Sequence, residues 1–197
     1  MPRLILKKHR HSISKGEISA LPIKHCTGPI HVIDSDTKMR AAMQSLTKEK
    51  VLGFDTETRP AFKKGESYLP SLLQLAAEDG VYIFQIGRIN SHKPLAGVLA
   101  DHNVIKAGIS VSDDIKKLKS VVPFEPSRFI ELAGMAAKVG IKNAGIRGLA
   151  ALLFSFRISK QTRCSRWDAP TLTYAQIAYA ATDAWICREI YFALKKM

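Results

Sequence analysis

Acidic residues are scarce in this chain. Asp and Glu number 17 against 30 Lys and Arg in 197 residues, a formal net charge of +13. Such an excess argues against a cationic partner and favours a polyanion, of which nucleic acid is the commonest. Long apolar runs are missing too: none approaches the ~18 residues of a membrane helix, so no membrane association is expected. Cysteine is limited to Cys26, Cys164 and Cys187, far apart and without CxxC spacing. That pattern excludes a disulfide framework and a zinc ribbon, and predicts reduced thiols in a cytoplasmic protein. The opening "MPRLILKKHRH" has only a three-residue apolar patch, too short for a secretory signal. There is no internal repeat and no low-complexity tract. What remains is a 46% hydrophobic chain of a length that suits one domain with a sizeable core. Its oligomeric state is left open.

The positive charge is clustered. Residues 1–28 carry Arg3, Lys7, Lys8, Arg10, Lys15 and Lys24 against Glu17 alone. They show no sustained period, so 1–27 reads as a basic N-terminal arm, poorly ordered or lying on the surface, ahead of a domain over 28–197. A second basic stretch, residues 157–168, holds Arg157, Lys160, Arg163 and Arg166 against Asp168.

Hydrophobic periodicity supplies the elements. "GPIHVID" predicts a strand, followed by a helix to about Leu46. "KVLGFDTE" is the next strand, then a loop "TRPAFKKGESYLP". "SLLQLAAEDGVYIFQI" predicts a hairpin turning at Glu78-Asp79-Gly80. A short helix is expected from His92 to Ala100. Then come the strand "NVIKAGIS", the helix "DDIKKLKSVV" and "RFIELAGMAAKVG", which passes from strand into helix. "GIRGLAALLF" is a short helix, and Thr173 caps a long last helix to about Leu194. The alternation after an initial hairpin predicts a mixed sheet with helices packed on it.

Several of the scarce acids sit at element ends. Asp55 and Glu57, two apart on one strand, share a face, where two like charges are costly without a cation between them. Tyr179 and Asp183, four apart, share a face of the last helix. The small residues Ala178, Ala180, Ala181 and Ala184 let that helix lie close to the sheet and carry Asp183 inward. Asp113 and Asp114 open a helix directly after a strand, where one can cap and the other can face a cleft. Clustered carboxylates suit Mg²⁺ or Mn²⁺. Two such ions can clamp the attacking and leaving oxygens of a phosphoryl displacement.

"FDTE" on a strand, an Asp opening a helix after "AGIS", and "YAATD" on a late helix together resemble the three motifs of the DEDD exonucleases. The Tyr four residues before the last Asp places the pattern in the DEDDy branch, similar to the exonuclease domains of ribonuclease D and the Werner syndrome protein. The resemblance covers about residues 28–196. It implies an α/β, RNase H-like fold, a mixed five-stranded sheet with helices on both faces. It implies removal of nucleotides in the 3′→5′ direction from single-stranded or frayed DNA or RNA, with two divalent metal ions. Carried over by position, Asp55 bridges both ions, Glu57 and Asp183 complete the first site, and Asp114 holds the second. Tyr179 orients the attacking water. Thr56, Lys63, Arg163 and Arg166 are candidate substrate contacts, with Lys64 beside them. Trp167 reads as a packing anchor and Gln74 as structural. A non-catalytic nucleic-acid binder and an RNase H-type endonuclease on the same fold are the alternatives.

Overall fold

The computed structural model describes residue 2, residues 11–63 and residues 65–197. Arg3, Lys7, Lys8, Arg10 and Lys64 lie outside the described residues.

Six strands form one sheet: β1 (Ile30–Ile33), β2 (Val51–Thr58), β3 (Pro70–Ala76), β4 (Val81–Gln85), β5 (Ile105–Gly108) and β6 (Phe129–Glu131). Their order is β1-β4-β3-β2-β5-β6. β3 runs antiparallel to both its neighbours, β2 and β4, while β1 pairs in parallel with β4, β5 with β2, and β6 with β5. The sheet is thus mixed and helix-covered, as expected, but it has six strands and not five. The extra one is β1, which extends the sheet beyond β4 with Ile30 beside Val81.

Among the described residues there are seven α-helices: α1 (Lys15–Ala20), α2 (Asp36–Leu46), α3 (Lys93–Ala100), α4 (Val111–Leu118), α5 (Leu132–Lys138), α6 (Ile146–Phe154) and α7 (Tyr174–Lys195). Met39 and Leu46 of α2, Leu95 of α3 and Leu118 of α4 pack with Leu52, Phe54 and Leu73 on one sheet face. On the other face α7 lies with Ala180, Ala181 and Ala184 against Leu72, Ala76 and Ile83. Further along the same helix, Ile186 and Ile190 join Leu132 of α5 and Leu149 of α6. Alternation along β2 explains the division: Leu52 and Phe54 serve one core, and Gly53, Asp55 and Glu57 face the other way.

The described part of the N-terminal segment is bound to the body. Ser14 caps α1 in a reciprocal box with Glu17. Ile13 and Ile18 are buried beside α6 residues, and Asn143 clamps Ile13 through bonds of 2.9 and 3.1 Å to its N–H and C=O. Ile23 bridges to Arg157, whose Nε donates to the Leu21 carbonyl at 3.0 Å. Of the two readings of this segment, residues 11–27 therefore take the surface-bound one. Among the described residues no helix is long and apolar enough to cross a membrane.

Candidate active site

The site is built where the second half of β2 meets α7. Close approach is possible because position 53 has no side chain. A Cβ there would run into the Ala184 carbonyl oxygen and come within 2.9 Å of the Arg188 nitrogen. Thr173 and Gln176 start α7 with a reciprocal capping box. Two turns later the helix delivers Asp183, which is almost completely buried. Carboxylate oxygens of Asp55, Glu57 and Asp183 then lie within 4.8 Å of one another. The three acids, separated by up to 128 positions in the chain, form one cluster.

Burial and mutual repulsion dominate its electrostatics. Asp55 is pushed well above the usual carboxylate range by burial, then by the charges of Asp183, Glu57 and Asp114. Glu57 is pushed up to about 9 by burial, then by Asp183 and Asp114, with Arg163 pulling it back. Asp183 rises to about 7 through burial, against a hydrogen bond from the Tyr179 hydroxyl that favours the anion. Tyr179 itself is raised, by burial first and then by the charges of Asp183 and Glu57. It stays protonated and acts as a donor, not as a base.

Asp114 approaches from the other side of the sheet. Thr56, between the two acids of β2, points toward α4. Its hydroxyl donates to Asp114 Oδ1 at 2.7 Å. Burial raises Asp114 to about 6, while the Thr56 bond and the Lys117 charge pull it down. Asp113, one residue earlier, is exposed, and the N-cap of α4 is Ser110. Asp114 is therefore the inward acid of the pair, near the cluster but outside the tight trio. Thr56, expected at the substrate, uses its hydroxyl to hold Asp114.

The basic loop before α7 is anchored at two points. The indole of fully buried Trp167 donates to the Arg163 carbonyl at 3.3 Å, and its ring lies 5.8 Å from that of Tyr179. Gln176 Nε2 donates to the Arg166 carbonyl at 3.1 Å. This holds Arg163 where its charge acts on Glu57. Arg166 pairs with Asp168 at 3.5 Å, and Asp168 also holds Arg59 of the loop after β2 at 3.2 Å. Lys63 lies exposed on that second loop. Phe62 and Tyr174, each 82% exposed, went unremarked in the sequence. For Phe62, an aromatic residue inside a basic loop was the available signal. The N-terminal segment also arrives here: Lys24 and His25, with Gln161 and Thr162, line a cavity of about 200 Å³ that Tyr179 and Asp183 border.

The residues fit a divalent cation. Three carboxylates at mutual ligand distance, Glu57 and Asp183 buried and Asp55 half-buried, are hard oxygen donors, and each is raised first of all by burial. Asp55, Glu57 and Asp183 are the groups able to hold it.

Comparison with known proteins bears on the family. A family model described as 3′-5′ exonuclease matches residues 30–197. The human exonuclease 3′-5′ domain-containing protein 2 is 30% identical over 156 residues, 73% of this chain and 25% of that protein. Ribonuclease D of Gluconacetobacter diazotrophicus is 29% identical over 165 residues, 81% of this chain and 41% of that one. This chain therefore spans well under two thirds of either relative. The Nibbler exonuclease domain of Aedes aegypti superposes with a TM-score of 0.80 at 24% identity, covering 88% of this chain and 91% of that one, and shares the fold. Matched over all its strands and all but the first of its helices, the chain belongs to the 3′-5′ exonuclease family.

Proposed function

We propose that this protein hydrolyses phosphodiester bonds one nucleotide at a time from the 3′ end of single-stranded or frayed DNA or RNA. The observation that carries this is the carboxylate trio Asp55, Glu57 and Asp183 beside Tyr179, in a chain of charge +13. Asp55, Glu57 and Asp183 would hold one Mg²⁺ or Mn²⁺, and Asp114, nearby, would serve a second. When bound, the ions supply charge neutralisation for the phosphoryl group in flight.

The chain's own residues position the rest. The Tyr179 hydroxyl, hydrogen-bonded to Asp183, orients the attacking water. Water oxygen bonds to phosphorus, the bond to the 3′ oxygen of the preceding nucleotide breaks, and that oxygen takes up a proton. A nucleoside 5′-monophosphate leaves. Arg163, Arg166 and Lys63 contact backbone phosphates, which position the strand without reading its sequence. Phe62 and Tyr174 offer faces for base stacking, a sequence-tolerant contact. The described cysteines are all free, Cys26 and Cys187 buried and Cys164 exposed, which suits the reducing cytoplasm.

The test is a 5′-labelled single strand, DNA and RNA in parallel, incubated with Mg²⁺ or Mn²⁺ and with chelator. A ladder shortening from the 3′ end, abolished by chelator, is expected. Binding without cleavage would instead identify a non-catalytic binder, and internal cuts an RNase H-type endonuclease.

A further inference from the structure

Gln74 sits in the middle of β3 with none of its surface exposed. Both its amide atoms, Oε1 and Nε2, lack a hydrogen-bond partner among the described residues. Fully buried polar side chains are nearly always satisfied, so an amide with two orphaned ends requires a reason. Leu72, Ile83, Ala180 and Ala184, which pack on this face, are apolar. Replacing Gln74 with a hydrocarbon would remove the penalty, unless the amide acts on something.

Its position in the sheet indicates what. Gln74 is the direct partner of Asp55 across the antiparallel β2–β3 pair. Directly opposed residues project from the same face with Cβ atoms about 5 Å apart. A donor lacking an acceptor thus stands beside a carboxylate that is rich in acceptor sites. The Thr56 backbone N–H is a bond that favours the Asp55 anion here. A neutral amide also adds no further negative charge to the acids around it.

We infer that Gln74 is a positioning residue for the metal site: its Nε2–H donates to Asp55 and fixes the plane of that carboxylate when an ion is held. This rests on the proposed role of Asp55 as a ligand. Partners of this kind orient a ligand, and their loss typically costs ~10–100-fold in metal affinity. The residue touches neither water nor substrate and acts only through Asp55.

The experiment measures Mn²⁺ binding to the full chain by electron paramagnetic resonance of free Mn²⁺, with Asp55→Asn as reference. Gln74→Met and Gln74→Leu keep the volume and delete the amide. Both are expected to weaken Mn²⁺ binding about tenfold or more, while the melting temperature with chelator stays level or rises. Circular dichroism checks the fold, and two different replacements guard against one that packs badly. Wild-type Mn²⁺ affinity in a folded Gln74→Met or Gln74→Leu protein would overturn the inference and make Gln74 a core amide only. Wild-type protein that binds no Mn²⁺, or an Asp55→Asn variant that binds it unchanged, would instead overturn the site reading and this inference with it.

Discussion

The Thr56 hydroxyl donates to Asp114 Oδ1 at 2.7 Å, joining residues 58 positions apart across the end of the sheet. Thr56 lies between Asp55 and Glu57 but faces away from them. One three-residue stretch of β2 therefore supplies two acids to the α7 face and steers a further acid on the α4 face. Thr56→Val keeps the shape and deletes the bond. Hydrogen bonds to a charged group are worth about 1.5–3 kcal/mol, so turnover should fall roughly tenfold or more. Thr56→Ser should restore most of it. Equal activity in the Val variant, measured as steady-state kcat, would leave Asp114 without need of the tether.

Stability should depend on pH with an unusual sign. Asp55, Glu57, Asp114 and Asp183 all have folded-state values raised above ordinary carboxylates, three of them to about 9, 6 and 7. The folded protein thus holds more protons than the unfolded chain between about pH 4 and 9, and stability falls as pH rises through that window. Buried Lys106, lowered to about 8, works in the opposite direction, but chiefly between about pH 8 and 10.5. The melting temperature with chelator is expected to fall from pH 5.5 to 7.5. Added Mn²⁺ should flatten that slope. A chelated protein more stable at pH 7.5 than at 5.5 would contradict the electrostatics.

Gly53→Ala tests how the site is assembled. The new methyl group would collide with the α7 backbone at Ala184 and Arg188, which cannot rotate away as a side chain can. Overpacking costs typically ~1–3 kcal/mol. It would also lift Asp183 from Asp55, so activity should fall at temperatures where the variant remains folded. Urea denaturation and activity at low temperature measure the two effects separately. A variant with wild-type stability and activity would mean that the helix does not need this contact.

Tyr179→Phe leaves the ring against Trp167 and removes only the hydroxyl that bonds Asp183. The hydroxyl is assigned to the attacking water, so the loss belongs to the transition state. A kcat lower by about 10²-fold is expected with KM little changed. A raised KM at constant kcat would make Tyr179 a substrate contact instead.

Much of this was legible in the sequence, and the rest was not for identifiable reasons. The helices and strands of residues 30–197 follow apolar periods long enough to read, and the Asp55/Glu57 and Tyr179/Asp183 pairs follow from strand and helix geometry. The packing of Ile13 and Ile18 was not legible, because a six-residue helix is too short to show a period and its burial depends on α6. The role of Gly53 was equally hidden, since its cause lies at Ala184, 131 residues away. The bond from Thr56 to Asp114 was not legible, because its partner lies 58 residues away on α4. The sixth strand was read from "GPIHVID", and only the count of five implied by the family resemblance left it out. Gln74 looked like an ordinary core residue until both the burial and the empty hydrogen-bond sites of its amide were known.

The central claim is stepwise hydrolysis from a 3′ end by the Asp55, Glu57 and Asp183 site. The most direct measurement compares a linear single strand with a covalently closed circle of the same sequence, both with Mn²⁺, using wild-type protein and Asp183→Asn. The linear strand should shorten from its 3′ end while the circle survives, and the variant should leave both intact. Cleavage of the circle, or undiminished shortening by Asp183→Asn, would contradict the account.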